Sequence, residues 1–177
     1  MKQRQSGFSL VEMLVVVAII GIVSLVTVPN FMALRRSNMM KNSMRGFMSD
    51  ARGVRQRAVT RRQQTKLVFT NGSATSGRQY TLWELDPTTS TWNQIGASKQ
   101  FEELCYIATE TSIPTPDSGA TYEIGFRNDG TAILPSGVYS GKVLLQTDFN
   151  IDNKQYTMCV QYNGNMKALK GNVLCTP

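Results

Sequence analysis

Apolar positions crowd the start of the chain. Residues 10–28 form a run of 19 with one ionisable side chain, Glu12. At ~1.5 Å rise per residue a helix over that run reaches ~28 Å, close to the ~30 Å hydrocarbon core of a bilayer, so the pattern predicts a membrane helix. A secretory signal would place small residues after its apolar run, whereas here Lys2, Arg4, Ser6 and Gly7 come before it. The segment therefore reads as retained. Pro29 lacks an amide donor and predicts a kink or local melting where the run ends. Helical spacing then continues from Phe31 to about Thr65. Met40, Met44, Phe47, Ala51, Val54 and Ala58 recur at alternating intervals of four and three, the stripe of an amphipathic helix that packs on a sheet. Lys41, Arg45 and Arg52 form a separate row beside the stripe, and Gly46 and Gly53 share another face, which reads either as a place for close approach by a neighbouring helix or as two tolerated weak spots.

Beyond Thr65 the period falls to two. Residues 66–70 (KLVFT) and 79–85 (QYTLWEL) read as a hairpin joined through Asn71-Gly72-Ser73. Residues 86–91 (DPTTST) turn the chain before a short run at 92–95, and 113–119 (IPTPDSG) is a loop by its Pro and Gly content. A tight hairpin is expected from 122–126 and 131–134 around Asn128-Asp129-Gly130. Strands at 142–149 and 155–162 flank a turn at 150–153, and Asn163-Gly164 leads into a last strand near 165–169. The fold class is α+β: one long N-terminal helix, membrane-spanning in its first half and amphipathic in its second, packed on a C-terminal antiparallel β-sheet domain.

Charge changes the picture along the chain. Of 177 residues with formal net charge +7, residues 1–66 hold 12 Lys and Arg against Glu12 and Asp50, while 67–177 hold 7 against 10 acidic groups. The basicity belongs to the helix. Lys2 and Arg4 on one side of the apolar run face Arg35, Arg36 and Lys41 on the other, so charge counting leaves its orientation open. Buried in lipid, a carboxylate costs ~2.5–3.5 kcal/mol at mid-helix and less near an end. The N-terminal dipole eases Glu12, but the residue still calls for a cationic partner.

Candidate chemistry is sparse. There is no His, which removes His-based triads, and neither Gly-rich phosphate motif occurs, so no enzyme, cofactor or metal site is expected. Glu102 with Glu103, and Asp148 with Asp152, read as solvated loop carboxylates lacking the oxygen set of a calcium loop. Cys105, Cys159 and Cys175 are an odd set. Pairing Cys159 with Cys175 fastens the C-terminal tail to the penultimate strand and, for a loop of that length, is worth about 3 kcal/mol; three buried thiols are the alternative.

Gly7-Phe8-Ser9-Leu10-Val11-Glu12 ahead of an apolar helix resembles the class III signal of type IV pilins and type II secretion pseudopilins. The resemblance implies a leader at 1–7 cut by prepilin peptidase between Gly7 and Phe8, and N-methylation of Phe8. It further implies a transmembrane and filament-core helix at 8–34, an amphipathic helix at 35–65, and an antiparallel β domain at 66–177 facing the periplasm from a single-pass inner-membrane anchor. Glu12 would meet the terminal ammonium of a neighbouring subunit during assembly, which agrees with the cost of leaving either charge alone in lipid. Further along, the stretch 51–59 (ARGVRQRAV), the strand after it, Gly125-Phe126-Arg127-Asn128-Asp129-Gly130 and the turn at Asn163-Gly164 resemble the GspH/FimT group of minor pilins and pseudopilins. Members of that group act in filament initiation, protein secretion, pilus assembly or DNA uptake.

The expected function is that of a filament subunit whose partners are other pilin subunits, the peptidase and, before assembly, inner-membrane lipid. The alternative is a FimT-like DNA-binding tip subunit for natural transformation. FimT-type members carry Gly-Arg-x-Arg near the C-terminus; here the matching stretch is Gly164-Asn165-Met166-Lys167, followed by Lys170, with both arginines absent. A phosphate track on this chain would draw on Arg52, Arg55, Arg57, Arg61, Arg62, Lys66, Lys167 and Lys170.

Overall fold

The computed structural model describes residues 9–70, 78–101, 105–107, 121–134, 139–147 and 154–176. The loop expected at 113–119, the turns at 71–73 and 150–153, and Glu102, Glu103, Asp148 and Asp152 lie outside the described residues. Among the described residues one helix, α1 (Leu10–Arg61), precedes ten strands: β1 (Thr65–Thr70), β2 (Gln79–Leu85), β3 (Trp92–Gln94), β4 (Lys99–Gln100), β5 (Cys105–Ile107), β6 (Thr121–Phe126), β7 (Ala132–Ile133), β8 (Ser140–Thr147), β9 (Gln155–Gln161) and β10 (Met166–Lys170).

The chain divides into two compact units at Asn38 and Met39. The first carries the apolar start of α1, where Leu10, Val11, Leu14, Val17, Ile20, Ile22 and Leu25 are all exposed. The backbone remains helical through Pro29, so the local melting expected there does not occur; a proline costs a long helix one backbone bond and ~3 kcal/mol, not the whole element. Nearby, Ser24 and Thr27 hydroxyls donate to the carbonyls of Ile20 and Val23 at 2.7 and 2.8 Å. Among the described residues no helix is long and apolar enough to cross a membrane. The span expected over 10–28 rests on the sequence run.

In the second unit the amphipathic part of α1 serves two sheets rather than one. The first has the order β3-β2-β1-β6-β7 with β4 also on β2, the second β10-β9-β8-β5, and every pairing is antiparallel. Register follows the apolar alternation: Leu67 sits opposite Leu82 on one side and Ile124 on the other, and Val143 opposite Met158. Met40, Met44, Phe47, Met48, Ala51, Val54 and Ala58 of the helix join Leu67, Phe69, Ile124 and Phe126 of the first sheet and Val143, Leu145, Met158 and Val160 of the second in one core. Phe47 anchors it, with its ring 5.1–5.8 Å from those of Tyr80, Phe101 and Phe69. Edge and tilted contacts of this kind add to plain area burial.

Candidate functional site

The alternative reading put the arginines of the last turns of α1 on a phosphate track; the structure gives Arg55, Arg57 and Arg61 partners. Arg55 is half-buried and donates from Nε to the Gly130 carbonyl at 2.9 Å and from Nη2 to the Asn163 carbonyl at 3.1 Å. One guanidinium thus holds a turn of each sheet, β6–β7 and β9–β10, against the helix. The sheets also meet directly there, the Ala132 amide donating to the Tyr162 carbonyl at 2.9 Å. Asp129 shapes the first turn by accepting from the Thr131 hydroxyl and amide at 2.7 and 2.8 Å, and these bonds hold its carboxyl below the usual carboxylate range. Three of the stretches that carry the GspH/FimT resemblance, 51–59, 125–130 and 163–164, meet through Arg55.

Arg57 faces an acid instead. Its Nε and Nη2 donate to Glu84 Oε2 at 3.0 and 2.8 Å, and Arg61 Nη1 adds a longer contact to the same oxygen at 3.4 Å. Glu84 is buried at 8 % exposure, and its Oε1 makes no hydrogen bond among the described residues. The pairing was readable from the sequence: Tyr80, Leu82 and Glu84 fall on one face of β2, so the carboxylate points at the helix and needs a cation. Asp50 is the comparable acid on α1. It accepts from Tyr80 Oη and Lys99 Nζ, both at 2.5 Å, and burial together with this carboxylate pushes the Tyr80 phenol well above its usual value of 10.0.

Lys66 leaves the helical track altogether. Thr65, Leu67 and Phe69 are buried on β1, so Lys66 points to the opposite face of the sheet. There its ammonium meets Glu123 Oε2 at 2.7 Å and lies 4.3 Å from the Trp92 ring centroid. Arg52, Arg62, Lys167 and Lys170 are exposed, and no ion pair is formed by them among the described residues. The eight cations therefore do not make one continuous row.

The Cys159 and Cys175 sulfurs are bonded, with Cα atoms 5.5 Å apart, and Cys105 is buried outside any disulfide, its thiol 3.7 Å from Met40 Sδ. Gly46 and Gly53 have open space beside them. Glu12 is exposed in the first turn of α1, while Gly7 and Phe8 lie outside the described residues.

The N-terminal segment matches the family model described as the prokaryotic N-terminal methylation motif, over residues 2–28. The minor pseudopilin EpsH from the type 2 secretion system of Vibrio cholerae is similar in fold, at a TM-score of 0.53 and 15% identity, with 73% of this chain and 95% of that one covered. The type IV minor pilin FimU of Pseudomonas aeruginosa is similar too, at a TM-score of 0.53 and 11% identity, covering 76% of this chain and 90% of its own. No match is found among curated protein sequences. Motif and fold together make this a pilin-like, pseudopilin-like chain.

Proposed function

We propose that the chain is a minor pilin or pseudopilin, a subunit of a type IV pilus or type II secretion filament that acts in filament initiation and assembly and serves protein secretion. The observation that carries the reading is the methylation motif matched at 2–28 together with a helix that begins at Leu10 and whose apolar side chains from Leu10 to Leu25 are exposed. Apolar surface of that extent needs lipid or other subunits to cover it. In this reading prepilin peptidase cuts after Gly7, Phe8 becomes the methylated N-terminus, and 8–34 crosses the inner membrane before entering the filament core. The unit beginning at Met39 stands on the periplasmic side, and Glu12 pairs with a neighbour's terminal ammonium. No residue is assigned a catalytic role.

Glu12→Leu is expected to leave insertion and leader cleavage intact, read by mass spectrometry of the processed N-terminus, while incorporation into filaments falls by about tenfold or more, as for a charge left unpaired in lipid. Full incorporation of Glu12→Leu removes the assembly role. The DNA-uptake reading draws less support, because Arg55, Arg57, Arg61 and Lys66 are spent on Gly130, Asn163, Glu84 and Glu123. DNA retention that collapses between low and physiological salt would revive it.

A further inference from the structure

A cleft of about 480 Å³ opens between α1 and the edge strand β10, lined by Met44, Arg45, Met48, Ser49, Arg52 and Ala168. Its floor is apolar, Met44 and Met48 being 2% and 5% exposed. Its rim is cationic: Arg45 and Arg52 are exposed, seven residues apart on one side of the helix and so ~10 Å apart along its axis. No lining residue is acidic. The nearest acid on the helix by sequence, Asp50, is committed to Tyr80 and Lys99.

The strand side of the cleft is a sheet edge with no strand paired on its outer side among the described residues. β10 ends the order β10-β9-β8-β5. The Gln161 amide donates to the Asn165 carbonyl and the Gly171 amide to the Gln155 carbonyl. With Ala168 opposite Met158, the antiparallel alternation then turns the amides and carbonyls of Lys167 and Leu169 toward β9 and those of Met166, Ala168 and Lys170 away from it. Ala168, the strand residue that lines the cleft, is therefore one whose backbone faces outward. Lys170 shares its face of the strand.

We propose that this edge binds an extended acidic segment of a second protein by strand addition. The incoming strand takes the outward amides and carbonyls of Met166, Ala168 and Lys170, and its helix-facing acidic side chains lay their methylenes over Met44 and Met48 and set their carboxylates against Arg45 and Arg52. Side chains on one face of a strand recur every ~7 Å, so acidic residues at alternate positions reach both guanidiniums. A polypeptide fits better than nucleic acid because phosphates have no use for an open strand edge or a methionine floor, whereas a peptide uses both.

The test uses the full chain in detergent micelles and a fluorescein-labelled peptide of alternating glutamate and valine, with an alternating glutamine and valine peptide beside it. Saturable binding of the acidic peptide is expected, weakened about tenfold or more by Arg45→Gln with Arg52→Gln and by the neutral peptide. Ala168→Pro removes an outward amide without touching the β9 ladder, and it too is expected to weaken binding about tenfold. If that variant misfolds by circular dichroism, hydrogen exchange on the unmodified chain decides: the peptide should slow exchange at the Met166, Ala168 and Lys170 amides. Absence of binding, equal affinity for the neutral peptide, undiminished binding by folded Ala168→Pro, unchanged exchange at those amides, or displacement of the peptide by duplex DNA would each overturn the proposal.

Discussion

Arg55 shows how much a single side chain settles at this scale. The row of arginines from 52 to 62 looks uniform in sequence, and composition alone favours a solvated or phosphate-binding face. Two residues apart, Arg55 and Arg57 do different work because one reaches carbonyls in turns and the other a buried carboxylate. Gly164 tests the first of these. Its φ is +77°, and a Cβ there would stand 2.1 Å from the Gly130 carbonyl oxygen and 2.3 Å from Arg55 Nε. Gly171 has φ +91° but open space around it. Gly171→Ala is therefore expected to cost only the left-handed backbone penalty, ~1–2 kcal/mol. Gly164→Ala should cost at least ~2 kcal/mol more, because it also breaks charge-assisted bonds worth ~1.5–3 kcal/mol each. Equal denaturation midpoints for the two variants would show that the Arg55 clamp contributes little.

Among the elements, α1 was the most legible and its ending the least. The stripe from Met40 to Ala58 is periodic over five turns and is buried as spaced, with Met48 added beside it. The end near Thr65 is set by capping geometry instead. Arg62 adopts φ 55°, and the Gln63 amide donates back to the Ala58 carbonyl at 3.2 Å, the pattern in which glycine is the usual residue at the left-handed position. Arg62→Gly is expected to raise stability by ~0.5–1 kcal/mol in a denaturant titration, since it relieves the strained backbone outside any ion pair among the described residues. A loss of stability would mean that the Arg62 side chain holds something. The hairpins β1–β2, β6–β7, β8–β9 and β9–β10 were readable because turn residues bracket alternating runs. β4 and β5, of two and three residues, are too short to show alternation, and the division into two sheets was hidden because β1 pairs with β6 across 50 residues of chain.

The whole second unit is closed by its tail. On β8 and β9 the inward residues Val143, Leu145, Met158 and Val160 belong to the core, so Lys142, Leu144, Thr157 and Cys159 face the other way. All four are nevertheless buried, and the chain after β10 binds Lys142, Thr157 and Cys159. The Thr157 hydroxyl donates to the Gly171 carbonyl at 2.7 Å and accepts from the Val173 amide at 3.1 Å. Lys142 donates to the Asn172 side chain, Ser140 to the Cys175 carbonyl at 3.0 Å, and Cys175 is bonded to Cys159. Few of these contacts are apolar, so the strap relies on the crosslink to limit the freedom of the open chain. A closed loop of sequence separation 16 is worth about 3 kcal/mol in that account. Cys159→Ala with Cys175→Ala should therefore lower unfolding free energy by about 3 kcal/mol, and reductant should bring the natural chain to the same value while leaving the variant unchanged. Hydrogen exchange should speed up first at Gly171 and Val173, because their amides lose the Gln155 carbonyl and the Thr157 hydroxyl before the Phe47 core opens. Unchanged stability with normal exchange at both positions would show that the tail holds its place by hydrogen bonds alone.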